Sequence, residues 1–305
     1  MEKSSNANSV KNMKAVSLTK TYQDIFYKSS DGLTLYARDY DDGTGKPVIL
    51  GLHGLTRNSA DFHDLALHLQ DRFRVVTVDQ RGRGRSGYDP DASQYRLEIY
   101  CADMFTLLDH LGIKKVIPIG TSMGGLMTMI MASQNPDVFR AAVINDIGPE
   151  IAPEGLERIK GYVGASRDFA SWEEAADAIK TQQSTEVFPL YTSQDWMDFA
   201  RRVCRQSPDG RIEFAYDPAL ANPFKEDESV SAPVDMWPLF ANLSSVPVLT
   251  FRGARSDILS DKTLEKMSRS HPDFRGVIIP NIGHAPILTE PESLAEIDAF
   301  LEPFK

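Results

Sequence analysis

One stretch organises the whole chain: Val116-Ile117-Pro118-Ile119-Gly120-Thr121-Ser122-Met123-Gly124-Gly125. Its apolar first half predicts a buried strand, and the apolar run 126–132 that follows predicts a helix. The Gly-x-Ser-x-Gly pattern between them turns a strand sharply into a helix and leaves the serine hydroxyl exposed. Glycine at 120 and 124 avoids collisions of Cβ atoms across so tight a turn. A serine can also simply cap a helix, but the predicted strand and helix on either side favour an exposed hydroxyl.

The composition is that of a globular protein with an acidic charge balance. The 305 residues are 42% hydrophobic, with a net charge of −10. This charge argues against nucleic acid or an anionic membrane as a partner, because both require a basic face. Only Cys101 and Cys204 occur, which indicates free thiols in a reducing compartment, and we expect a cytoplasmic location. Residues 1–20 lack an apolar segment, so we expect a mobile tail rather than a signal peptide or an anchor.

Hydrophobic periodicity divides the chain into a regular part and an insertion. Residues 21–40 predict an antiparallel hairpin about Asp31-Gly32. Buried strands and helices then alternate; the predicted strands are 48–52, 74–78, 116–119, 141–144, 248–251 and 276–279, and the predicted helices are 61–69, 97–111, 124–134, 262–270 and 292–300. Residues 150–243 show only helical patches. We therefore expect one α/β domain, residues 21–149 and 244–305, interrupted by a helical insertion.

A glycine-rich loop at residues 79–87 raises the possibility of a phosphate site. The loop lacks the Gly-x-Gly-x-x-Gly spacing and the lysine followed by Ser or Thr that phosphate-binding loops use. We therefore expect a tight turn with exposed arginines. No cluster of cysteine and histidine has zinc spacing, and no metal or cofactor is expected.

A serine hydroxyl needs a histidine to take its proton and an acid to orient that histidine. His284 lies in a glycine-flanked loop after the last predicted strand, whereas the other five histidines have plainer settings. Asp257 follows the preceding strand and completes the order Ser, Asp, His, so we expect it to be the acid. Asp146 is its rival, because it follows a strand at the same end of the sheet.

Acyl transfer also needs donors for the developing oxyanion. The backbone N–H groups of Met123, after the nucleophile, and of Leu55, after an earlier strand, are the expected pair. His53 precedes Leu55 in a sharp His-Gly turn. We expect the His53 ring to have a structural role.

Together, the motifs at 53–55, 79–87, 120–125, 252–257 and 283–284 resemble those of the α/β-hydrolase superfamily. The resemblance extends from about Tyr22 to Lys305, apart from the insertion. It implies an eight-stranded, mostly parallel sheet, with the insertion as a cap and the active site between the two. The superfamily includes esterases, lactonases, carbon–carbon bond hydrolases and cofactor-free haloperoxidases. A serine at the turn departs from the aspartate of epoxide hydrolases and haloalkane dehalogenases.

These residues predict a serine hydrolase that acts on a small to medium, largely apolar ester or lactone. Two alternatives remain: a carbon–carbon bond hydrolase of vinylogous diketones that uses the same triad, and a non-catalytic ligand receptor or interaction module. The expected partner is a small-molecule substrate, for a monomer or a homodimer. Aromatic residues of the insertion are expected to line the substrate pocket or to form the insertion's own core; the first set is Trp172, Phe188, Trp196 and Trp237. A cluster of arginines, Arg201, Arg202 and Arg205, is either solvated or a carboxylate site.

Overall fold

A twisted sheet of eight strands forms the centre of the protein. The structure is a computed structural model that describes residues 21–41, 43–164, 168–183, 187–222 and 235–305. The strands are β1 (Gln23–Lys28), β2 (Thr34–Tyr40), β3 (Val48–Leu52), β4 (Arg74–Asp79), β5 (Val116–Thr121), β6 (Ala142–Asn145), β10 (Val248–Gly253) and β11 (Phe274–Ile279). Their order is β1-β2-β4-β3-β5-β6-β10-β11. The β1–β2 and β2–β4 pairs are antiparallel, and every other pair is parallel. The predicted eight-stranded, mostly parallel sheet is confirmed.

The central strands are apolar throughout because both faces of the sheet are covered. All five residues of β3 are buried, and its neighbours Ile49 and Leu50 pack into separate core clusters on opposite faces. The covering helices outside the insertion are α1 (His63–Leu69), α2 (Leu97–His110), α3 (Met123–Gln134), α8 (Asp261–Ser270) and α9 (Pro291–Leu301). The two core clusters on opposite faces thus explain why this strand has no polar side.

Residues 150–243 lie between β6 and β10, and we call them the cap segment. The helices in its described part are α4 (Pro153–Tyr162), α5 (Trp172–Gln183), α6 (Ser193–Val203) and α7 (Trp237–Ala241). It also contains a small sheet of order β7-β9-β8, formed by β7 (Asp168–Phe169), β8 (Cys204–Gln206) and β9 (Ile212–Phe214). The described part of the cap segment is mainly helical, and the sequence did not indicate these strands, because runs of two or three residues are too short to show an alternating pattern.

The loop at residues 79–87 is not the exposed turn that the sequence predicts. Arg81 and Arg83 are among the most buried large side chains, and only Arg85 is largely exposed. The Arg81 guanidinium pairs with three carboxylates, those of Asp31, Asp89 and Asp103. Burial of an arginine is tolerated where its donors are satisfied in this way.

Three further sequence expectations concern the thiols, the membrane and the first twenty residues. Cys101 and Cys204 are free thiols, and both are buried. Within the described ranges, no helix combines the length and the hydropathy needed to cross a bilayer. The tail expected at residues 1–20 lies outside the described residues.

Candidate active site

Ser122 sits at the sharp turn from β5 into α3. Its φ of 52° and ψ of −115° place a non-glycine residue in a strained backbone region. The turn is possible only because its neighbours lack side chains: a Cβ on Gly124 would lie 2.0 Å from the Leu52 carbonyl oxygen, and a Cβ on Gly120 would lie 2.4 Å from that of Gly124. The Gly-x-Ser-x-Gly stretch therefore forms the predicted turn between strand and helix.

His284 brings its ring to the Ser122 hydroxyl from the loop between β11 and α9. His284 Nε2 lies 2.9 Å from Ser122 Oγ, and His284 Nδ1 lies 2.8 Å from Asp146 Oδ2. Because a carboxylate can only accept, Nδ1 carries the proton and Nε2 is free to accept the serine proton. Serine, histidine and aspartate thus form one continuous hydrogen-bond chain.

The carboxylate that contacts His284 in this hydrogen-bond chain belongs to Asp146, not to Asp257. Asp146 is completely buried after β6, and its carboxylate is held in place by two further donors. Its Oδ1 accepts from the Gly253 N–H at 2.8 Å, and its Oδ2 accepts from the Ser256 hydroxyl at 2.7 Å as well as from His284. These donors hold the Asp146 carboxylate in a single orientation beside the His284 ring.

Asp257 lies on the neighbouring loop and is bound to the cap segment instead. Arg158 of α4 donates from Nε at 2.5 Å and from Nη2 at 2.9 Å to the two oxygens of Asp257. Burial raises the pKa of Asp257, but the hydrogen bond and charge of Arg158 outweigh burial and hold it below its usual value. The prediction that Asp257 orients His284 is therefore wrong in this structure, because Arg158 takes its carboxylate.

The expected oxyanion donors flank Ser122. Met123 is the first residue of α3, so its N–H has no acceptor within the helix. The Leu55 N–H makes no hydrogen bond to any residue that the structure describes. Both groups are therefore available to a ligand beside the serine.

A fully buried histidine fixes the direction of the Leu55 N–H. His53 Nε2 accepts from the Gln80 N–H at 3.0 Å, so its Nδ1 carries the proton and donates to the Gly54 carbonyl at 2.6 Å. That carbonyl and the Leu55 N–H belong to one trans peptide and point in opposite directions. Burial, above all, lowers the pKa of His53 to about 3, so the ring stays neutral at physiological pH.

Buried Arg83 supports the same loop from behind. Its Nε donates to the Leu55 carbonyl at 2.9 Å, and its Nη1 donates to the Arg81 carbonyl at 2.8 Å. The Arg83 Nη2 atom also lies 3.6 Å from Met123 Sδ. One guanidinium thus contacts both residues that carry the expected oxyanion donors.

A cavity opens above Ser122 between the sheet and the cap segment. It encloses about 970 Å³ of space free of atoms, including its open mouth. The cap segment supplies a mostly apolar wall, made of Ile159, Tyr162, Ile179, Phe188, Phe199, Val203, Phe214 and Tyr216, together with the amide side chains of Gln182 and Gln183. Burial raises the pKa of Tyr216 to about 12, so its phenol remains a neutral hydrogen-bonding group. No group of three or more His, Cys, Asp or Glu in the described ranges is arranged to hold a metal ion.

Comparison with known proteins agrees with this fold. A family model described as the alpha/beta hydrolase fold matches residues 47–291. This chain belongs to the α/β-hydrolase fold family. A crystal structure of an alpha/beta hydrolase from Novosphingobium aromaticivorans superposes on this hydrolase with a TM-score of 0.88 at 46% identity, covering 93% of this chain and 99% of the other.

Two characterised relatives are similar to this α/β hydrolase along most of their length. A 3-hydroxybutyrate-oligomer hydrolase from Cupriavidus necator is 35% identical over 84% of this chain and 89% of the relative. A 2-(acetamidomethylene)succinate hydrolase from Mesorhizobium japonicum is 29% identical over 88% of this chain and 92% of the relative.

Only one of the four aromatic residues predicted to bind substrate lines the cavity of this hydrolase. Phe188 does so, and buried Trp196 packs edge-on against it. Trp172 lies under the Arg201 guanidinium, and Trp237 donates to Glu150. Trp172, Trp196 and Trp237 therefore do not line the cavity. Their rings instead contact Arg201, Phe188 and Glu150, respectively.

The sequence offered only partial signals for the remaining site residues. Asp146 was the recognised rival for the acid, and nothing local distinguished it from Asp257. Ser256 contacts the Asp146 carboxylate, and Arg83 contacts the Leu55 carbonyl. Both contacts join residues that are far apart in the sequence, so no local pattern predicts them. Arg57 lies three residues after the His-Gly turn. It is therefore a charged residue of the loop that carries the expected Leu55 donor.

Proposed function

We propose that this α/β hydrolase is a carboxylic ester hydrolase that works through an acyl-enzyme on Ser122. The observation that carries the proposal is the hydrogen-bond chain from Ser122 Oγ through His284 to Asp146, with both links between 2.8 and 2.9 Å. A hydroxyl in contact with an imidazole that a buried carboxylate orients is the arrangement needed for nucleophilic attack.

The proposed reaction has two halves. Ser122 Oγ attacks the ester carbonyl while His284 Nε2 takes the hydroxyl proton, and the Leu55 and Met123 N–H groups bind the oxyanion. The imidazolium then returns the proton to the departing alcohol, leaving an acyl-enzyme. Water, deprotonated by His284, attacks the acyl carbonyl, and Ser122 leaves with the proton. Asp146 keeps the ring in the required tautomer throughout.

We further propose that the substrate is a small to medium ester or lactone bound between the sheet and residues 150–243. The mostly apolar wall of the cavity supports a largely apolar substrate of this kind. The relative from Cupriavidus necator is named for 3-hydroxybutyrate oligomers, which are short polyesters, and this supports hydroxy-acid oligoesters within the class.

Labelling and turnover test this proposal together. A fluorophosphonate probe is expected to label the intact chain, and p-nitrophenyl esters are expected to be hydrolysed with a preference for acyl chains shorter than about twelve carbons. Ser122→Ala should lose both properties, whereas Ser133→Ala, at the far end of the same helix, should keep them. Absence of labelling and of ester turnover in the wild-type chain would contradict the proposal and favour a ligand receptor.

A further inference from the structure

Arg57 places a guanidinium in the wall of the cavity above Ser122. Apart from His284, the ionisable charges in this wall come from Arg57 and Asp61 among the described residues. The Arg57 side chain is 19% exposed and that of Asp61 is 15% exposed. The protein as a whole carries a net charge of −10. Asp61 balances the charge of Arg57, so an anionic group would bind here through the guanidinium N–H donors that Asp61 does not use.

Asp61 and Phe199 hold the Arg57 guanidinium in place, but they occupy only some of its N–H donors. Arg57 Nε donates to Asp61 Oδ2 at 2.6 Å, and Nη2 donates to Asp61 Oδ1 at 2.7 Å. The Arg57 Cζ atom lies 3.9 Å from the centre of the Phe199 ring on α6. A guanidinium has five N–H donors, so both Nη1 donors and one Nη2 donor remain. That remaining edge has the fork geometry that suits a second carboxylate.

Arg57 and Ser122 border the same glycine in the wall of the cavity. The position where a Cβ would stand on Gly54 is 3.5 Å from Arg57 Cγ and 3.7 Å from Ser122 Cβ, so both side chains flank the same glycine. In an ester of a 3-hydroxy acid, four bonds separate the scissile carbonyl carbon from the carboxylate carbon of the alcohol part. This is a span of roughly 5 Å, short enough for one substrate to contact two side chains that border the same glycine.

We propose that Arg57 is a specificity residue that binds the carboxylate of an anionic ester, in particular the leaving 3-hydroxy acid of an oligoester. This inference rests on the ester hydrolase function proposed above and adds to it the charge and position of the substrate's second functional group. Asp61 orients the guanidinium, and Phe199 connects it to the cap segment. Arg201, Arg202 and Arg205 do not line the cavity, since they contact Trp172, Asp64 and Glu213 respectively.

Paired substrates of equal shape test the proposal. We compare kcat/KM for 3-(butanoyloxy)butanoate with that for its neutral amide, 3-(butanoyloxy)butanamide, by chromatography of the released butanoate. The wild-type chain is expected to prefer the carboxylate on the order of tenfold or more, the effect of one or two charge-assisted hydrogen bonds. Arg57→Met is expected to lose this preference. Arg57→Met combined with Asp61→Asn should lose it too, without leaving an unpaired carboxylate.

Arg201→Met is the matched control, because it removes an arginine of the cap segment outside the cavity and should retain the wild-type ratio. Equal kcat/KM values for the two substrates in the wild-type chain, or a preference that survives in both Arg57 variants, would overturn the inference. If neither substrate is hydrolysed, the inference also fails. Fluorophosphonate labelling of Ser122 then decides whether the ester hydrolase function fails with it.

Discussion

Asp146 and Asp257 follow adjacent strands but bind different partners. We therefore expect substitution of Asp146 to lower kcat far more than substitution of Asp257. Asp146 is bound by His284, and Asp257 is bound by Arg158. Asp146→Asn should lower kcat by about 10⁴-fold, because the amide favours the wrong tautomer of the imidazole. Asp257→Asn should change kcat by less than about threefold, as expected for a partly exposed pair. Matched steady-state kinetics on one p-nitrophenyl ester measure both, and a larger loss in Asp257→Asn would contradict the assignment.

A second prediction at the residue scale concerns pH and His53. Its folded-state pKa is about 3 and its ordinary value is 6.5, so between these values the unfolded chain binds the extra proton. The free energy of unfolding therefore has its full His53 contribution above pH 6.5 and decreases as the pH falls towards 3. In His53→Asn, the slope of this free energy with pH should be smaller by about 1.4 kcal/mol per pH unit in this window. Urea unfolding at pH 4.5, 5.5 and 7 measures the slopes, and equal slopes would contradict a buried neutral His53.

At the scale of elements, helix α4 is held against the loop after β10. The Ala152 N–H donates to the Ile258 carbonyl at 2.9 Å, and Gly155 packs so closely that an added Cβ would lie 2.3 Å from the Asp257 carbonyl oxygen. The Arg158–Asp257 pair completes this contact. The same helix carries Ile159 and Tyr162 to the cavity wall.

The Arg158–Asp257 pair should therefore affect substrate binding more than chemistry. Arg158→Met is expected to raise KM by about threefold to tenfold while changing kcat less, because α4 loses a partly exposed ion pair that positions the wall. Lys160→Met, which removes an exposed pair on the same helix, is the control and should leave both parameters unchanged. Loss of kcat with an unchanged KM in Arg158→Met would indicate a role in the chemical step instead.

At the scale of the whole molecule, two buried thiols report on how the cap segment and the sheet open. Cys101 lies on α2 beside the sheet, and Cys204 lies on β8 of the cap segment. Burial raises the pKa of both thiols to about 12, so neither should react quickly with Ellman's reagent in the native protein. Both should react in 6–8 M urea.

We expect Cys204 to react faster than Cys101 under native conditions. Single backbone hydrogen bonds connect the cap segment to the sheet domain, for example from the Asp217 N–H to the Gly82 carbonyl and from the Gly84 N–H to the Ala215 carbonyl. Helix α2, in contrast, packs along α3 and the sheet in the main core, so its surroundings should open less often. Peptide mass spectrometry after timed alkylation measures the two rates. Equal rates would show that the two parts open as one cooperative unit.

The sequence alone determined the parts of this protein that local patterns encode. Continuous apolar runs predicted the buried strands, because a strand covered on both faces has no polar side. The glycines around Ser122 predicted the strained turn, because only residues without a Cβ fit it. The loop position of His284 followed from the same strand pattern. These features depend on residues within about ten positions of each other.

The tertiary structure decided everything that depends on competition between distant groups. Asp146 and Asp257 both end strands at the same edge of the sheet, and their roles diverge because Arg158, from the cap segment, reaches only Asp257. Arg81 and Arg83 are buried because carboxylates and carbonyls far along the chain surround them. Such pairings are chosen by burial, since an ionic group in the interior must find its partner wherever the fold brings one.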